Sequence, residues 1–176
     1  MKKIPFLLVL VFAISLTGKA QENETKYLES VQTLDSTMET LYGVISGEKG
    51  EARDWELFRF LFKPKAKLIP SGKNKAGQFG LRYMTPDDYI ESSGNWLVEN
   101  GFFENEIHRT VQTFGNITHV FSTYESFHSK NESEPLMRGI NSIQLLNDGK
   151  RWWIVNIYWT QETKENPIPS LYLPKQ

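Results

Sequence analysis

The second half of the chain alternates apolar and polar positions, the spacing of β-strands that bury one face. Over residues 102–127 two such runs flank Gly115-Asn116, a pair suited to a two-residue primed hairpin turn. A second hairpin is predicted over 138–159, turning at Asp148-Gly149. Turn and period together fix which side chains share a face. With Phe114 opposite Ile117, one face carries Glu106 beside Glu125, His108 beside Thr123, Thr110 beside Phe121 and Gln112 beside His119. The other carries Ile107 with Tyr124, Arg109 with Ser122 and Val111 with Val120. With Asn147 opposite Lys150, Asn141 faces Asn156, Gly139 faces Tyr158, Arg138 meets Trp159 and Gln144 meets Trp153.

The first half changes period. Leu28, Val31, Leu34, Met38, Leu41, Tyr42 and Ile45 form one apolar stripe at helical spacing, predicting a helix over 27–46 that stops at Gly47. Asp54 is placed to cap a short helix over 55–62, which Pro64 closes. A short strand over 65–70 and a partner over 78–84 follow. Thr85-Pro86-Asp87-Asp88 then opens a helix with a hydroxyl cap, an early proline and two acids at the positive end of the dipole. That helix runs to Glu99 and ends at Asn100-Gly101. Residues 163–176, with Pro167, Pro169 and Pro174, read as an arm laid on the body or on a partner. The expected class is α+β, with about three helices and six strands.

Composition narrows the functional classes. The 176 residues suffice for one domain, and 39% hydrophobic with 13% aromatic content excludes a disordered chain. Lys2 and Lys3, the apolar run 4–16 and Gly18-Lys19-Ala20 have the form of a cleaved signal peptide, 1–20, followed by a polar tether, 21–26. The alternative, an N-terminal membrane anchor, needs a longer apolar run than this one. Without Lys2, Lys3 and Lys19, 17 basic and 21 acidic residues remain, a net charge of −4. That balance predicts no nucleic-acid partner and no electrostatic membrane role, and signal cleavage leaves no stable membrane insertion. The absence of cysteine excludes disulfides, thiolate metal ligands and thiol catalysis.

A family resemblance rests on the element order and on particular stretches. These are Trp55-Glu56-Leu57-Phe58-Arg59-Phe60-Leu61-Phe62-Lys63-Pro64, Thr85-Pro86, Phe114-Gly115-Asn116, Ser122-Thr123-Tyr124-Glu125 and Arg151-Trp152-Trp153-Ile154-Val155-Asn156. Over 27–162 the chain resembles the nuclear transport factor 2-like superfamily, including the SnoaL-like small bacterial proteins. The resemblance implies a cone, in which a strongly curved, largely antiparallel sheet wraps around the N-terminal helices and leaves a pocket at its open end. It also implies a homodimer through the outer sheet face. It brings no universal catalytic motif, since such folds host isomerases, dehydratases, cyclases, hydrolases and pure binding domains.

Candidate chemistry follows from the faces. Paired Glu106 and Glu125 next to His108 can divide acid and base roles, or are two wet acids on an outer face. Asp54 offers a base, although capping already explains it. Trp55, Tyr124, Asn141, Asn156 and Trp159 are the candidate ligand contacts, the buried amides needing partners in any case. His108, His119 and His128 are too scattered for a metal centre, so no metal and no cofactor is expected. Three readings result: an exported small-molecule-binding dimer, a proton-transfer enzyme acting on a polyketide- or steroid-like carbonyl compound, or an interaction module of the cell envelope.

Overall fold

A computed structural model describes residues 26–175. The leader over 1–20 and most of the tether lie outside the described residues. Three helices pack inside one strongly curved, open, six-stranded sheet: α1 Leu34–Ile45, α2 Trp55–Phe60 and α3 Pro86–Asn100. The strands are β1 Phe62–Lys73, β2 Phe79–Leu81, β3 Phe103–Phe114, β4 Ile117–Phe127, β5 Met137–Asn147 and β6 Trp152–Gln161. Their order is β2-β1-β6-β5-β4-β3, antiparallel throughout except for the parallel pair β1 and β6. The α+β cone is thus the observed architecture.

The first helix is shorter than its apolar stripe. Residues Leu28–Val31 form a single 3-10 turn, and α1 starts afresh at Thr33. The Thr33 hydroxyl accepts from the Ser36 N–H while the Ser36 hydroxyl accepts from the Thr33 N–H, a reciprocal cap that fixes the break. From α1, Met38, Leu41, Tyr42 and Ile45 enter the core, where Phe58, Leu61, Val120, Ile143, Leu145 and Ile154 are almost wholly buried. Each such aliphatic side chain contributes about 2 kcal/mol by leaving water. Gly47 and Phe102 exchange backbone hydrogen bonds at 2.7 and 3.1 Å, and the Glu104 N–H donates to Ser46 Oγ at 2.9 Å. The end of α1 therefore holds the start of β3.

Two bulges decide what faces the helices. From Phe114↔Ile117 back to His108↔Thr123 the first hairpin keeps the predicted register, but Ile107 is then an unpaired extra residue. Beyond it Glu106 opposes Tyr124, Asn105 opposes Glu125 and Glu104 opposes Ser126. One inserted residue exchanges the faces of a strand. The predicted Glu106–Glu125 pair is therefore absent, and Glu104 and Glu106 turn to the concave side. In the second hairpin the turn is wider than expected, with Asn147 opposite Trp152, and Val155 is a second extra residue. Asn141 consequently opposes Trp159, and Asn156 opposes Gln144, so the predicted Asn141–Asn156 pair does not form.

The C-terminal arm returns over the convex face. The Ile168 N–H donates to Glu162 at 2.9 Å, Thr123 Oγ1 donates to the Tyr172 carbonyl at 2.6 Å, and the Tyr172 ring meets Phe121 edge-on at 4.9 Å.

Candidate functional site

The concave side of the sheet and the helices enclose a cavity of about 240 Å³. Its walls are mainly apolar: Leu41 and Ile45 from α1, Leu97 from α3, Leu68 from β1, and Ile157 and Trp159 from β6. Polar side chains interrupt them: Glu104, Tyr124, Asn141 and Gln161, with Tyr42, Tyr89 and Ser93.

Glu104 is the group that the hairpin register hid. Burial among these walls raises its proton affinity, to a pKa of about 8 from an ordinary 4.5, while a hydrogen bond from Asn141 works the other way. At neutral pH it is therefore mainly a neutral acid with an O–H to donate. A polar groove on the far side shares Glu104 and Tyr42 with the cavity and adds Glu39, Glu106, Arg109 and Lys130. The carboxyl thus stands between a mainly apolar hollow and a polar one.

A hydrogen-bonded chain supports Asn141 from behind. Its Nδ2 donates to the Tyr42 hydroxyl at 3.1 Å, Tyr42 and Ser122 hydroxyls lie 2.6 Å apart, and Ser122 Oγ donates to Glu106 Oε1 at 2.5 Å. Since the single Ser122 hydrogen goes to Glu106, Tyr42 donates to Ser122. Glu106 is held in turn by Arg109 Nε at 3.1 Å, and Arg109 Nη2 reaches Asp35 at 2.9 Å. Burial raises the proton affinity of Glu106, opposed by the Ser122 hydrogen bond and the Arg109 charge. Burial also pushes the Tyr42 and Tyr124 phenols well above their ordinary range, so both stay protonated.

The structure gathers some of the predicted residues and disperses others. Tyr124, Asn141 and Trp159 line the cavity. Glu106 lies behind it, on the concave side but facing the polar groove. Glu125 and His108 take convex-face positions, Glu125 3.6 Å from Arg138. Asn156 donates to Gln144 at 2.6 Å, away from the cavity. Asp54 accepts from the Leu57 N–H at 2.9 Å and from the Tyr27 hydroxyl at 2.9 Å, as a cap and not as a base in the hollow. Trp55 packs edge-on against Phe58 and over Gly94, outside the lining. Among the described residues no three of His, Asp and Glu converge as metal ligands would. No signal in Phe102-Phe103-Glu104-Asn105-Glu106 distinguishes the two registers, because adjacent phenylalanines satisfy either face.

No protein-family model matches the chain, and no curated protein matches it in sequence. Solved structures do match its shape. An NTF-2 like protein of unknown function from Silicibacter pomeroyi superimposes with a TM-score of 0.51 at 18% identity, covering 73% of this chain and 92% of that one. A cystatin-like fold protein from Nostoc punctiforme gives 0.54 at 9% identity over 75% and 95%. A putative calcium/calmodulin dependent protein kinase II association domain from Xanthomonas campestris gives 0.53 at 12% over 74% and 86%. The chain therefore has the nuclear transport factor 2-like fold, as its sequence resemblance implies. Identities this low carry the fold and not the activity.

Proposed function

We propose that the cone cavity binds a small apolar molecule bearing one carbonyl or hydroxyl, with Glu104 and Asn141 meeting its polar end. The observation that carries this reading is a carboxyl set into a mainly apolar hollow beside an amide already fixed by its own partners. Ligand pockets usually measure roughly 300–1,000 Å³. At about 240 Å³ the hollow suits a single ring or a short branched chain, and it disfavours a multi-ring steroid or polyketide. Trp96 and Trp159 line it and provide an optical signal. Titration with a single-ring enone such as cyclohexenone is expected to quench tryptophan fluorescence saturably, and Glu104→Leu to weaken that binding about tenfold or more. Absence of saturable quenching across a panel of single-ring ketones and alcohols would overturn the reading.

The raised proton affinity of Glu104 favours a second, narrower reading: proton transfer next to the carbonyl of the bound compound, with Glu104 as acid and base. Glu104→Gln keeps a donor but cannot accept a proton. It is expected to retain binding and lose exchange of the ketone's α-hydrogens for deuterium in D₂O, followed by NMR. Base-catalysed exchange requires ionised Glu104, so the rate should rise with pH to a plateau above about 8. Exchange that persists in Glu104→Gln would leave binding alone.

In the same reading the protein is exported, its residues 1–20 being removed as a signal peptide. It pairs as a homodimer through the part of the convex face that the arm leaves open, where Phe114, Ile117 and Val155 are exposed. Among the described residues no helix is long and apolar enough to cross a membrane.

A further inference from the structure

We infer that the β1–β2 hairpin is a docking element for an anionic lipid surface. Among the described residues β2 is an edge strand whose only neighbour in the sheet is β1, in the register Lys73↔Phe79, Gly72↔Gly80 and Ser71↔Leu81. Alternation puts Phe79, Leu81 and Tyr83 on one side, and they stand 80%, 49% and 65% exposed. A row of three such side chains in water is an unusual thing for an edge strand to keep.

The turn that presents them is built, not loose. Asn74 Oδ1 accepts from the N–H groups of Ala76 at 2.9 Å and Gln78 at 3.0 Å, and the Asn74 N–H donates to the Gln78 carbonyl at 2.9 Å. Lys73 Nζ lies 5.1 Å from the centre of the Phe79 ring, so a cation and an exposed ring share the tip.

Charge selects the partner. From residue 62 to residue 86 there are six cations, Lys63, Lys65, Lys67, Lys73, Lys75 and Arg82, and no Asp or Glu, in a chain whose overall net charge is −1. Asp88, at the start of α3, draws on Lys67 and Arg82. Among the described residues neither Lys73 nor Lys75 meets a carboxylate in an ion pair. Net charge averages over the molecule, but Lys73 ends β1 beside the Phe79 ring and Lys75 lies in the turn that follows, so two cations stand at the tip of the hairpin. Rings and a leucine flanked by lysines match the boundary of a bilayer, where apolar bodies enter and ammonium groups stay at the headgroups. A nucleic acid would be held chiefly by phosphate contacts, and the Leu81 side chain in the middle of the row contributes nothing to those.

The test is co-sedimentation of the chain without residues 1–20, whose apolar run would bind any bilayer by itself; every described element lies beyond it. Binding is expected to phosphatidylcholine vesicles containing phosphatidylglycerol and not to phosphatidylcholine alone, and salt should release it. K73E/K75E should weaken partitioning about tenfold or more. F79S/L81S/Y83S should do the same while both variants keep the wild-type circular dichroism and melting curve, since these side chains lie outside the core. No binding to anionic vesicles, equal binding to neutral ones, or binding untouched by both variants would overturn the inference. So would retention on single-stranded oligothymidylate without binding to vesicles, which would mark the hairpin as a nucleic-acid element.

Discussion

A carboxyl that holds its proton to about pH 8 couples folding to pH. Glu104 ionises near its ordinary 4.5 when unfolded, so between about 4.5 and 8 the unfolded chain has released a proton that the folded chain retains. Stability contributed at acid pH is therefore lost as pH rises through that window, and the loss is complete above the folded value. The effect is on the order of a few kcal/mol. Glu104→Gln, neutral at every pH, should flatten that part of the profile, and urea midpoints measured from about pH 5 to 9 would show it. Tyr42 is the other decisive residue. Tyr42→Phe leaves Ser122 without its donor and Asn141 without its acceptor in a buried place, at a cost of about 1–3 kcal/mol by urea unfolding. Tyr124, Asn141 and Trp159 were legible in the sequence because polar groups among strand aromatics need partners wherever they are buried. Glu104 was not, since its face depends on a residue three positions further on.

The elements divide in the same way. Local chemistry wrote the caps and the first turn plainly. The Thr85 hydroxyl accepts from the Asp88 N–H at 3.1 Å and the Asp88 carboxylate accepts from the Thr85 N–H at 2.8 Å, as the order Thr-Pro-Asp-Asp predicts. Thr85→Ala should cost about 1 kcal/mol, read as a shift in the urea midpoint without a change in slope. The bulges at Ile107 and Val155 had no such signature. They arise in long strands that pack on α1, a demand set by an element distant in sequence. Each carries one extra residue, and each reversed a set of facing pairs that the turn alone would have fixed. The parallel contact of β1 with β6, with Lys65 in the left-handed region at φ 73°, was equally invisible to a reading of hairpins.

At the scale of the molecule, the two faces of the curved sheet differ. The concave one holds the hollow. The convex one is partly covered by the arm, through Tyr172 on Phe121 and Thr123, which leaves Phe114, Ile117 and Val155 exposed as the surface proposed for pairing. Light scattering is expected to report a dimer for the wild-type chain and a monomer for F114S/I117S; a monomeric wild-type chain would end the pairing proposal. The proposed binding and proton transfer both require a cone that stays hollow around a carboxyl turned inward by one extra residue in β3. The direct measurement is an NMR titration of the Glu104 carboxyl carbon in the ¹³C-glutamate-labelled protein, assigned by comparison with Glu104→Gln. A midpoint near 8 is the expected result, and a midpoint near 4.5 would place Glu104 in water and rule out a buried carboxyl in the hollow.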